Sequence, residues 1–274
     1  PSVGATENVL LTSVRARGKT VITNAAIEPE VLNLIDMLCA MGARIRSDTE
    51  MRTIEIDGVS RLRGASVRVM PDRNEAVSFA SAVLAAGGEV FVRGIAAEDV
   101  SSFLSAVGEI GAVYQTEKDG IRFFGRKPYR ALSIATSPHP GFMTDWQQPF
   151  CVVLTQAEGV SRVHETVYED RFGYVKDLIQ MGARIEVSDE CLVGMPCRFS
   201  GFTFNHSARI QGPSSLIGAS ITMTDIRAGM AHVIAALAAQ GESVITGIEH
   251  IDRGYEDIDG RLRGLGADIS RISV

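Results

Sequence analysis

The sequence predicts an α/β protein built from a repeated supersecondary unit. An apolar, helix-like segment occurs four times, and each is followed by a glycine that opens a β-rich run. Each unit then closes in a leucine-rich turn with a Gly-Ala pair. A period of this length, with mixed helix and strand, indicates a repeated α/β unit rather than a thin solenoid.

Each unit begins with its apolar helical segment. The four segments cover Glu7–Ala16, Glu75–Ala86, Asp145–Ala157 and Asp225–Ala239. Glycine tolerates the left-handed conformation, so a glycine after the last apolar position predicts the end of a helix. The opening glycines are Gly18, Gly88, Gly159 and Gly241. The Val-, Ile- and Thr-rich runs that follow predict strands.

A second helix and a further strand are expected in each unit. The closing sequences are MGARI from Met41, IGAVY from Ile110, MGARI from Met181 and LGADI from Leu265. The opening glycines are 70, 71 and 82 residues apart (88 − 18, 159 − 88, 241 − 159). The excess falls around Cys191 to Ser220, where we predict a surface hairpin or loop extension.

Composition restricts the class of protein. A chain of 274 residues is expected to form one large or two smaller domains. The formal charge of −6 argues against a nucleic-acid partner. No apolar run approaches the ~18 to 20 residues that span a bilayer, and no signal peptide opens the sequence, so we expect a cytoplasmic protein without a membrane partner.

Cysteine and glycine motifs exclude several kinds of site. The four cysteines are scattered without a CxxC pair, and the histidines lack metal-ligand spacing, so we predict reduced, mostly buried thiols and no metal site. Arg17–Thr20 ends like a phosphate-binding loop, but position 13 is Ser13 where that motif needs glycine. No G-x-G-x-x-G opens a helix, which leaves a dinucleotide cofactor without support.

Polar residues recur where the first helix of each unit begins. They are Thr6-Glu7, Asp72 to Glu75, Thr144-Asp145 and Thr224-Asp225. Such residues cap exposed backbone N–H groups and complement the helix dipole, which is a purely structural role. Helix N-termini that converge can also bind an anion, and Arg73 and Arg227 place guanidinium groups beside two of them.

Two segments combine arginine with acidic and aromatic neighbours. They run from Glu165 to Phe172 and from His250 to Glu256, and both follow the strand of a repeat. One interpretation is a pair of solvated loops. The other is that Arg171 and Arg253 bind an oxyanion, because the guanidinium fork suits phosphate and carboxylate and stays charged.

Six motifs along the chain belong together: Pro1 to Asn8, Asn24 to Glu30, Met70 to Arg73, Pro140 to Gln147, Glu165 to Phe172 and His250 to Glu256. On these motifs the sequence resembles, from end to end, the UDP-N-acetylglucosamine 1-carboxyvinyltransferase family of enolpyruvyl transferases. The last three motifs are the most specific, and they separate this chain from the shikimate-pathway enolpyruvyl transferase.

This resemblance implies a fold and a reaction. The fold would be α/β, with βαβαββ units that form inside-out α/β barrel lobes. Residues 1–69 would be the last unit of the second, substrate lobe, and 70–274 would be the catalytic lobe of three units. The reaction would transfer enolpyruvyl from phosphoenolpyruvate to the 3-hydroxyl of UDP-N-acetylglucosamine in peptidoglycan precursor synthesis, without a cofactor.

The resemblance also implies roles for particular residues. Asp145 would bind the sugar 3-hydroxyl and accept its proton, and Asp225 would be a second catalytic acid. Arg253, with Arg227 beside it, would bind the phosphate or carboxylate of phosphoenolpyruvate, and Arg171 would support the network around Asp145. The remaining substrate contacts would be Ser2, Val3 and Gly4 for uridine diphosphate, and Val167 and Tyr168 for the sugar.

The family's Lys-Asn pair, its proton-donating cysteine loop and a phosphate-binding arginine all precede the first residue of this chain. We therefore expect these 274 residues to be inactive alone. Self-association or a companion N-terminal segment would cover the apolar surface of the first unit. Three alternatives stay open: a catalytically silent sugar-nucleotide-binding paralogue or fragment, the shikimate-pathway enzyme, and a nucleic-acid-acting relative.

Overall fold

The computed structural model describes residues 1–191 and 197–272 and shows alternating helices and strands. The chain divides into two units. The first contains Pro1–Pro71 with Pro138–Pro140, and the second contains Asp72–Ser137 and continues from Gly141. The sequence predicted a division between residues 69 and 70. The assignment of the two parts to lobes of a larger protein stays a prediction.

The first unit is a small helix-and-sheet layer. Its elements are α1 (Val3–Ser13), β1 (Lys19–Ile22), α2 (Pro29–Ala40), β2 (Arg44–Asp48) and β3 (Thr53–Asp57). The strands are antiparallel in the order β1-β3-β2. Apolar side chains from both helices and from β3 form its core, including Leu10, Val31, Ile35, Ile54 and Ile56.

The second unit begins with two helices and a three-stranded sheet. In chain order these elements are α3 (Arg73–Ala86), β4 (Gly88–Arg93), α4 (Ser101–Glu109), β5 (Val113–Glu117) and β6 (Gly120–Gly125). The sheet has the antiparallel order β4-β6-β5, which matches the first unit.

The next repeat has the full βαβαββ order. Its elements are β7 (Tyr129–Arg130), β8 (Ser133–Ala135), α5 (Thr144–Leu154), β9 (Ala157–His164), α6 (Val175–Gln180), β10 (Arg184–Ser188) and β11 (Ser207–Gly212). Strand β8 pairs parallel with β9 across α5, and β11 lies antiparallel between β9 and β10. The order from β8 to β11 therefore confirms the predicted unit.

The last repeat is shorter. Its elements are β12 (Ser220–Thr222), α7 (Ile226–Ala238), β13 (Val244–Thr246), α8 (Glu249–Asp252) and α9 (Ile258–Gly264). Strands β12 and β13 pair parallel across α7. The strand expected after Leu265 is absent from the described residues. In the other repeats the closing strand pairs with a return strand, and the part of the chain described after Leu265 contains none.

Helices α3, α5 and α7 pack against one another in the middle of the second unit. All residues of α5 from Trp146 to Leu154 are buried, and α7 is buried from Ala228 to Ala235. A helix that is apolar on all sides is stable only inside a protein, with other elements around it. This arrangement, with helices inside and sheets outside, confirms the predicted fold class and brings three helix starts together.

The glycine signals predicted the ends of α3 and α7, but α1 covers Val3–Ser13 rather than the predicted Glu7–Ala16. The four opening glycines have positive φ angles, from +89° at Gly241 to +103° at Gly159. However, α5 ends at Leu154, and β9 already begins at Ala157, so Gly159 lies inside the strand. The third helical segment, predicted to reach Ala157, is therefore shorter than expected.

The extension lies in the connection between β10 and β11. This connection covers residues 189–206, whereas the equivalent connections cover 49–52 and 118–119. Its described part is a loop with turns, as predicted, and Phe199 within it is buried. The prediction of mostly buried cysteines is wrong: Cys151 is buried in α5, Cys39 and Cys191 are exposed, and Cys197 is half-buried. Across the described residues, no helix has the length and apolar character to cross a bilayer.

Candidate functional site

A pocket of about 420 Å³ opens where α5 and α7 begin. Its wall is formed by the first turns of these helices and by the loop after β9. The charged and polar residues that line it include Asp145, Gln148, Tyr168, Arg171, Asp225 and Arg227. Two predicted cations and two predicted acids therefore meet in one place, although they lie in different repeats.

Asp145 is held between two guanidinium groups. Its Oδ1 lies 2.5 Å from Nη2 of Arg171, and its Oδ2 lies 3.3 Å from Nε of Arg227. The carboxylate keeps 29% of its side-chain surface exposed, so a solute in the pocket can reach it. Asp145 does not cap its own helix, because the N-cap is Met143 without a side-chain hydrogen bond. The capping role that the sequence left open is thus not used here.

Arg227 is fixed by a chain of hydrogen bonds on its other side. Its Nη1 donates to the Tyr255 hydroxyl at 3.3 Å, and that hydroxyl lies 2.7 Å from Oγ of Ser78. Ser78 donates its own proton to the carbonyl of Asn74, so Tyr255 donates to Ser78. Burial opposes the charge of Arg227, but Asp145 and Tyr255 raise the pKa of its guanidinium above the ordinary value. Arg227 is therefore a fixed cation.

Asp225 performs the structural role that the sequence left open. Its Oδ1 accepts the backbone N–H groups of Arg227 and Ala228, both at 2.9 Å, and so caps α7. Asp72 caps α3 in the same way through Asn74 and Glu75. Asp225 nevertheless lines the pocket, so its carboxylate lies near any bound ligand.

The loop after β9 places Tyr168 and Arg171. The Arg171 guanidinium lies over the Tyr168 ring, 4.5 Å from its centroid, which is a cation–π contact. Tyr168 keeps 53% of its surface exposed. An exposed aromatic ring next to a carboxylate and two guanidinium groups can contact the apolar face of a sugar or base while polar groups bind its hydroxyls.

Glu165 organises this loop and was not singled out among the site residues. It is fully buried, and its Oε1 accepts the N–H groups of Val167 at 2.8 Å and of Tyr168 at 2.9 Å. Oε1 also accepts the Thr136 hydroxyl at 2.8 Å, and Oε2 accepts the Thr144 hydroxyl at 2.9 Å. Because Thr144 is the first residue of α5, one carboxyl group connects the loop to the helix that carries Asp145. The sequence places Glu165 directly after a predicted strand, which is a common place for a functional residue. That position alone does not show that the side chain is buried.

Arg253 does not line the pocket. It is the exposed C-cap residue of α8. It lies two residues before Tyr255, and the intervening Gly254 packs closely on Ile226, because a Cβ there would lie 2.3 Å from Ile226 Cδ1. The segment is therefore anchored at the start of α7, while the Arg253 guanidinium itself is at the surface.

Ser2, Val3 and Gly4 lie in the first unit, at the start of α1. Ser2 is its N-cap, and its Oγ accepts the N–H of Ala5 at 3.4 Å. The other candidate residues all belong to the second unit. Arg73, which the sequence placed beside a helix start, is buried: its guanidinium stacks on Trp146 at 5.6 Å and donates to the Asp99 carbonyl.

Comparison with known proteins gives a consistent result. A family model described as EPSP synthase (3-phosphoshikimate 1-carboxyvinyltransferase) matches residues 1–262. The UDP-N-acetylglucosamine 1-carboxyvinyltransferase of Protochlamydia amoebophila is 48% identical over 273 residues, which are 99% of this chain and 58% of the relative. The enzymes of that name from Chlamydia trachomatis serovar D and Halothermothrix orenii are each 44% identical; this chain spans 62% and 61% of them.

Solved structures share the fold. The enolpyruvyl transferase NikO from Streptomyces tendae superimposes with a TM-score of 0.84 at 25% identity, over 98% of this chain and 60% of that one. An EPSP synthase from Acinetobacter baumannii gives a TM-score of 0.68 at 19% identity, over 99% of this chain and 62% of that one, which shows the fold alone. The chain thus spans about three fifths of the length of the proteins it matches.

Proposed function

Because the chain belongs to the EPSP synthase (3-phosphoshikimate 1-carboxyvinyltransferase) family, we propose that it carries the reacting centre of an enolpyruvyl transferase. The proposed reaction transfers enolpyruvyl from phosphoenolpyruvate to the 3-hydroxyl of UDP-N-acetylglucosamine and releases phosphate. Asp145, held between Arg171 and Arg227 in an open pocket, is the observation that carries the proposal.

The proposed reaction is an addition followed by an elimination. The sugar hydroxyl loses its proton and its oxygen bonds to C2 of phosphoenolpyruvate, while C3 takes up a proton. Loss of a proton from C3 then expels phosphate from C2 and restores the double bond. The protein must therefore supply a base, an acid and positive charge for phosphate and carboxylate, each worth orders of magnitude in rate.

Asp145 is the proposed base for the sugar hydroxyl. An ionised carboxylate only accepts hydrogen bonds, and both oxygens of Asp145 face guanidinium groups. An anionic substrate that engages Arg171 would draw that guanidinium from Asp145. Substrate binding would thus free the oxygen that the reaction needs.

The arginines are the proposed anion ligands. Arg227 is held in place from behind by Tyr255, so it is prepared for a phosphate or carboxylate without losing much side-chain entropy. Arg253 is proposed to complete the phosphate or carboxylate site from the rim, next to the segment anchored on α7. Asp225 would face the same ligand as a second acid, because one of its oxygens caps α7 and the other is not used in that cap.

The aromatic and backbone contacts are proposed for the sugar nucleotide. Tyr168 and Val167 would contact the sugar, since their loop borders Asp145 and is fixed by Glu165. Ser2, Val3 and Gly4 are proposed to contact uridine diphosphate through the N-terminal end of α1, where unpaired N–H groups favour an anion.

Sequence similarity supports UDP-N-acetylglucosamine over shikimate 3-phosphate as the acceptor. Relatives named for the first substrate are 44–48% identical to this chain, whereas a solved EPSP synthase is 19% identical. On this proposal the protein works in the cytoplasm in peptidoglycan precursor synthesis. The chain alone is still expected not to turn over, and self-association or a companion segment stays a prediction.

Binding by the chain tests the acceptor. Isothermal titration with UDP-N-acetylglucosamine should show saturable binding that weakens in Tyr168→Ala, and shikimate 3-phosphate should show none. Binding of shikimate 3-phosphate in preference to the sugar nucleotide would contradict the proposal. Phosphate release is measured in parallel with the protein from its full reading frame, and sugar-nucleotide binding without turnover there would favour the silent paralogue instead.

A further inference from the structure

Four side chains with metal-binding atoms meet beside the extension, away from the pocket. They are His164 at the end of β9, Cys191 and Cys197 in the β10–β11 connection, and His206 just before β11. Their ligand atoms all lie within 4.8 Å of one another. Cysteine and histidine spacing in the sequence gave no sign of this cluster, because its members come from separate elements.

The hydrogen bonds of the two histidines leave a lone pair on one ring nitrogen of each. The Ser207 hydroxyl donates its one proton to the Glu190 carbonyl, so it must accept from Nδ1–H of His164, 2.8 Å away. Nδ1 of His206 faces the Phe204 carbonyl at 3.1 Å, which can only accept. Both rings are therefore protonated at Nδ1, and both Nε2 atoms are free to bind a metal.

These lone pairs lack adequate partners in the protein. Nε2 of His164 is buried and makes no hydrogen bond among the described residues. Nε2 of His206 lies 3.6 Å from Sγ of Cys191, which offers at most a weak S–H donor. A buried polar atom without a partner is destabilising, and such an atom in a native protein calls for an explanation.

The distances suit a tetrahedral ion. Zinc binds sulfur at about 2.3 Å and nitrogen at about 2.0–2.1 Å, which separates neighbouring ligand atoms by roughly 3.3–3.8 Å. The contact of 3.6 Å between Cys191 and His206 falls in this range. The widest separation, within 4.8 Å, needs a closure of about 1 Å.

We propose that His164, Cys191, Cys197 and His206 bind one zinc ion. Two thiolates and two imidazoles form a ligand set that zinc favours, and four protein ligands leave no open position for substrate, so the site is structural rather than catalytic. Each histidine already donates its Nδ1–H to a protein oxygen, of Ser207 or of Phe204, and such a bond holds the ring in place as a metal ligand.

The zinc site would fix the extension against the pocket loop. Phe199 and Phe204 pack on the His206 ring, with centroids 5.8 and 6.0 Å away, and provide an apolar surrounding. Arg198, next to Cys197, forms an ion pair with Glu169 in the loop that carries Tyr168 and Arg171. His164 also directly precedes Glu165, whose carboxylate holds the same loop. Two ligands of the proposed ion, His164 and Cys197, are therefore each next in sequence to a residue that contacts this loop.

Metal analysis of the reduced, purified chain tests the proposal. We expect one zinc ion per chain by mass spectrometry of the metal content, both in the parent and in the control Cys39→Ser, whose thiol is exposed in the first unit. Cys191→Ser and Cys197→Ser should lose the bound zinc. Ser207→Ala, which removes the hydroxyl that accepts Nδ1–H of His164 but leaves all four ligands in place, should weaken zinc binding about 10- to 100-fold.

Cobalt substitution of the parent chain gives a result that does not depend on variants folding. Co²⁺ should show the intense visible bands of a tetrahedral site and a thiolate charge-transfer band. A reduced chain that takes up neither Zn²⁺ nor Co²⁺, cysteine variants that bind zinc as tightly as the parent, or a metal-free chain with Cys191 and Cys197 joined in a disulfide would each overturn the proposal.

Discussion

The carboxylate of Asp145 lies 2.5 Å from the guanidinium of Arg171. Asp145 is in the first turn of α5, whereas Arg171 is in the loop after β9. Arg227 of the next repeat contacts the second oxygen of the same carboxylate. Each α/β repeat directs its first helix to the centre of the unit, so the polar starts of these helices meet. The candidate site is thus a consequence of the repeat, and the following predictions test its parts.

Replacing Arg227 should weaken binding of the anionic substrate. Arg227→Met removes a half-buried cation that contacts Asp145 and Tyr255, and we expect the KM for phosphoenolpyruvate to rise at least about 10-fold in the protein from the full reading frame. Arg209→Met, at an exposed position on β11, is the control. An unchanged KM in Arg227→Met with a folded protein would show that the anion binds elsewhere.

Glu165 should act as a positioning residue. Glu165→Ala leaves the buried Thr136 hydroxyl and the partly buried N–H groups of Val167 and Tyr168 without their acceptor, which should lower the free energy of unfolding by at least about 1 kcal/mol. Glu165→Gln keeps one acceptor oxygen and should cost less and restore sugar-nucleotide affinity. Urea unfolding and titration of UDP-N-acetylglucosamine measure both effects, with exposed Glu158→Gln on the same strand as the control. Equal losses in Ala and Gln variants would argue against this role.

His232 should make the second unit less stable in acid. Burial in α7 lowers the pKa of His232 below its ordinary value, although Asp177, 3.0 Å away, acts in the opposite direction. The unfolded chain then takes up a proton near pH 6.5 that the folded chain resists, so stability falls as the pH drops through about 6.5, by up to about 1.4 kcal/mol per pH unit.

His232→Gln tests this pH dependence. The difference in free energy of unfolding between pH 7.5 and about pH 5.5 should be smaller in the variant than in the parent. His250→Gln, at a half-buried position on α8, should leave the difference unchanged. A parent chain that becomes more stable on acidification would mean that Asp177 outweighs burial.

The thiols should differ sharply in reactivity. Burial raises the pKa of Cys151 to about 12, so at neutral pH almost none of it is thiolate and reagents cannot reach it. Cys39 is exposed. Alkylation with iodoacetamide followed by peptide mass mapping should modify Cys39 in the native chain and Cys151 only after unfolding. Modification of Cys151 in the native chain would contradict the buried position of α5.

Local sequence signals were sufficient for much of the fold. Gly88 and Gly241 have positive φ angles and predicted the ends of α3 and α7. The apolar segment that forms α7 predicted a buried helix. Both signals depend only on neighbours in sequence. The end of α5 was missed because Ala157 suits a helix by composition, whereas pairing with Tyr129 places it in a strand. Pairing between distant strands cannot be read from local propensity.

The site was predictable in composition but not in geometry. Arg171 and Arg253 had equal sequence signals, yet Arg171 contacts Asp145 and Arg253 lies at the surface. The burial of Glu165 and the meeting of His164 with Cys191 depend on the loop path and on the packing of the extension. Both are set by tertiary contacts that no spacing rule describes.

The most direct test of the central claim is the activity of Asp145→Asn in the protein expressed from its full reading frame. The amide keeps the size of the side chain but cannot take the proton of the sugar hydroxyl, so kcat should fall by about 10² to 10⁴ while UDP-N-acetylglucosamine still binds. Asp119→Asn, in the exposed turn between β5 and β6, should keep full activity. A kcat for Asp145→Asn within about twofold of the parent would contradict the assignment of this pocket as the reacting centre.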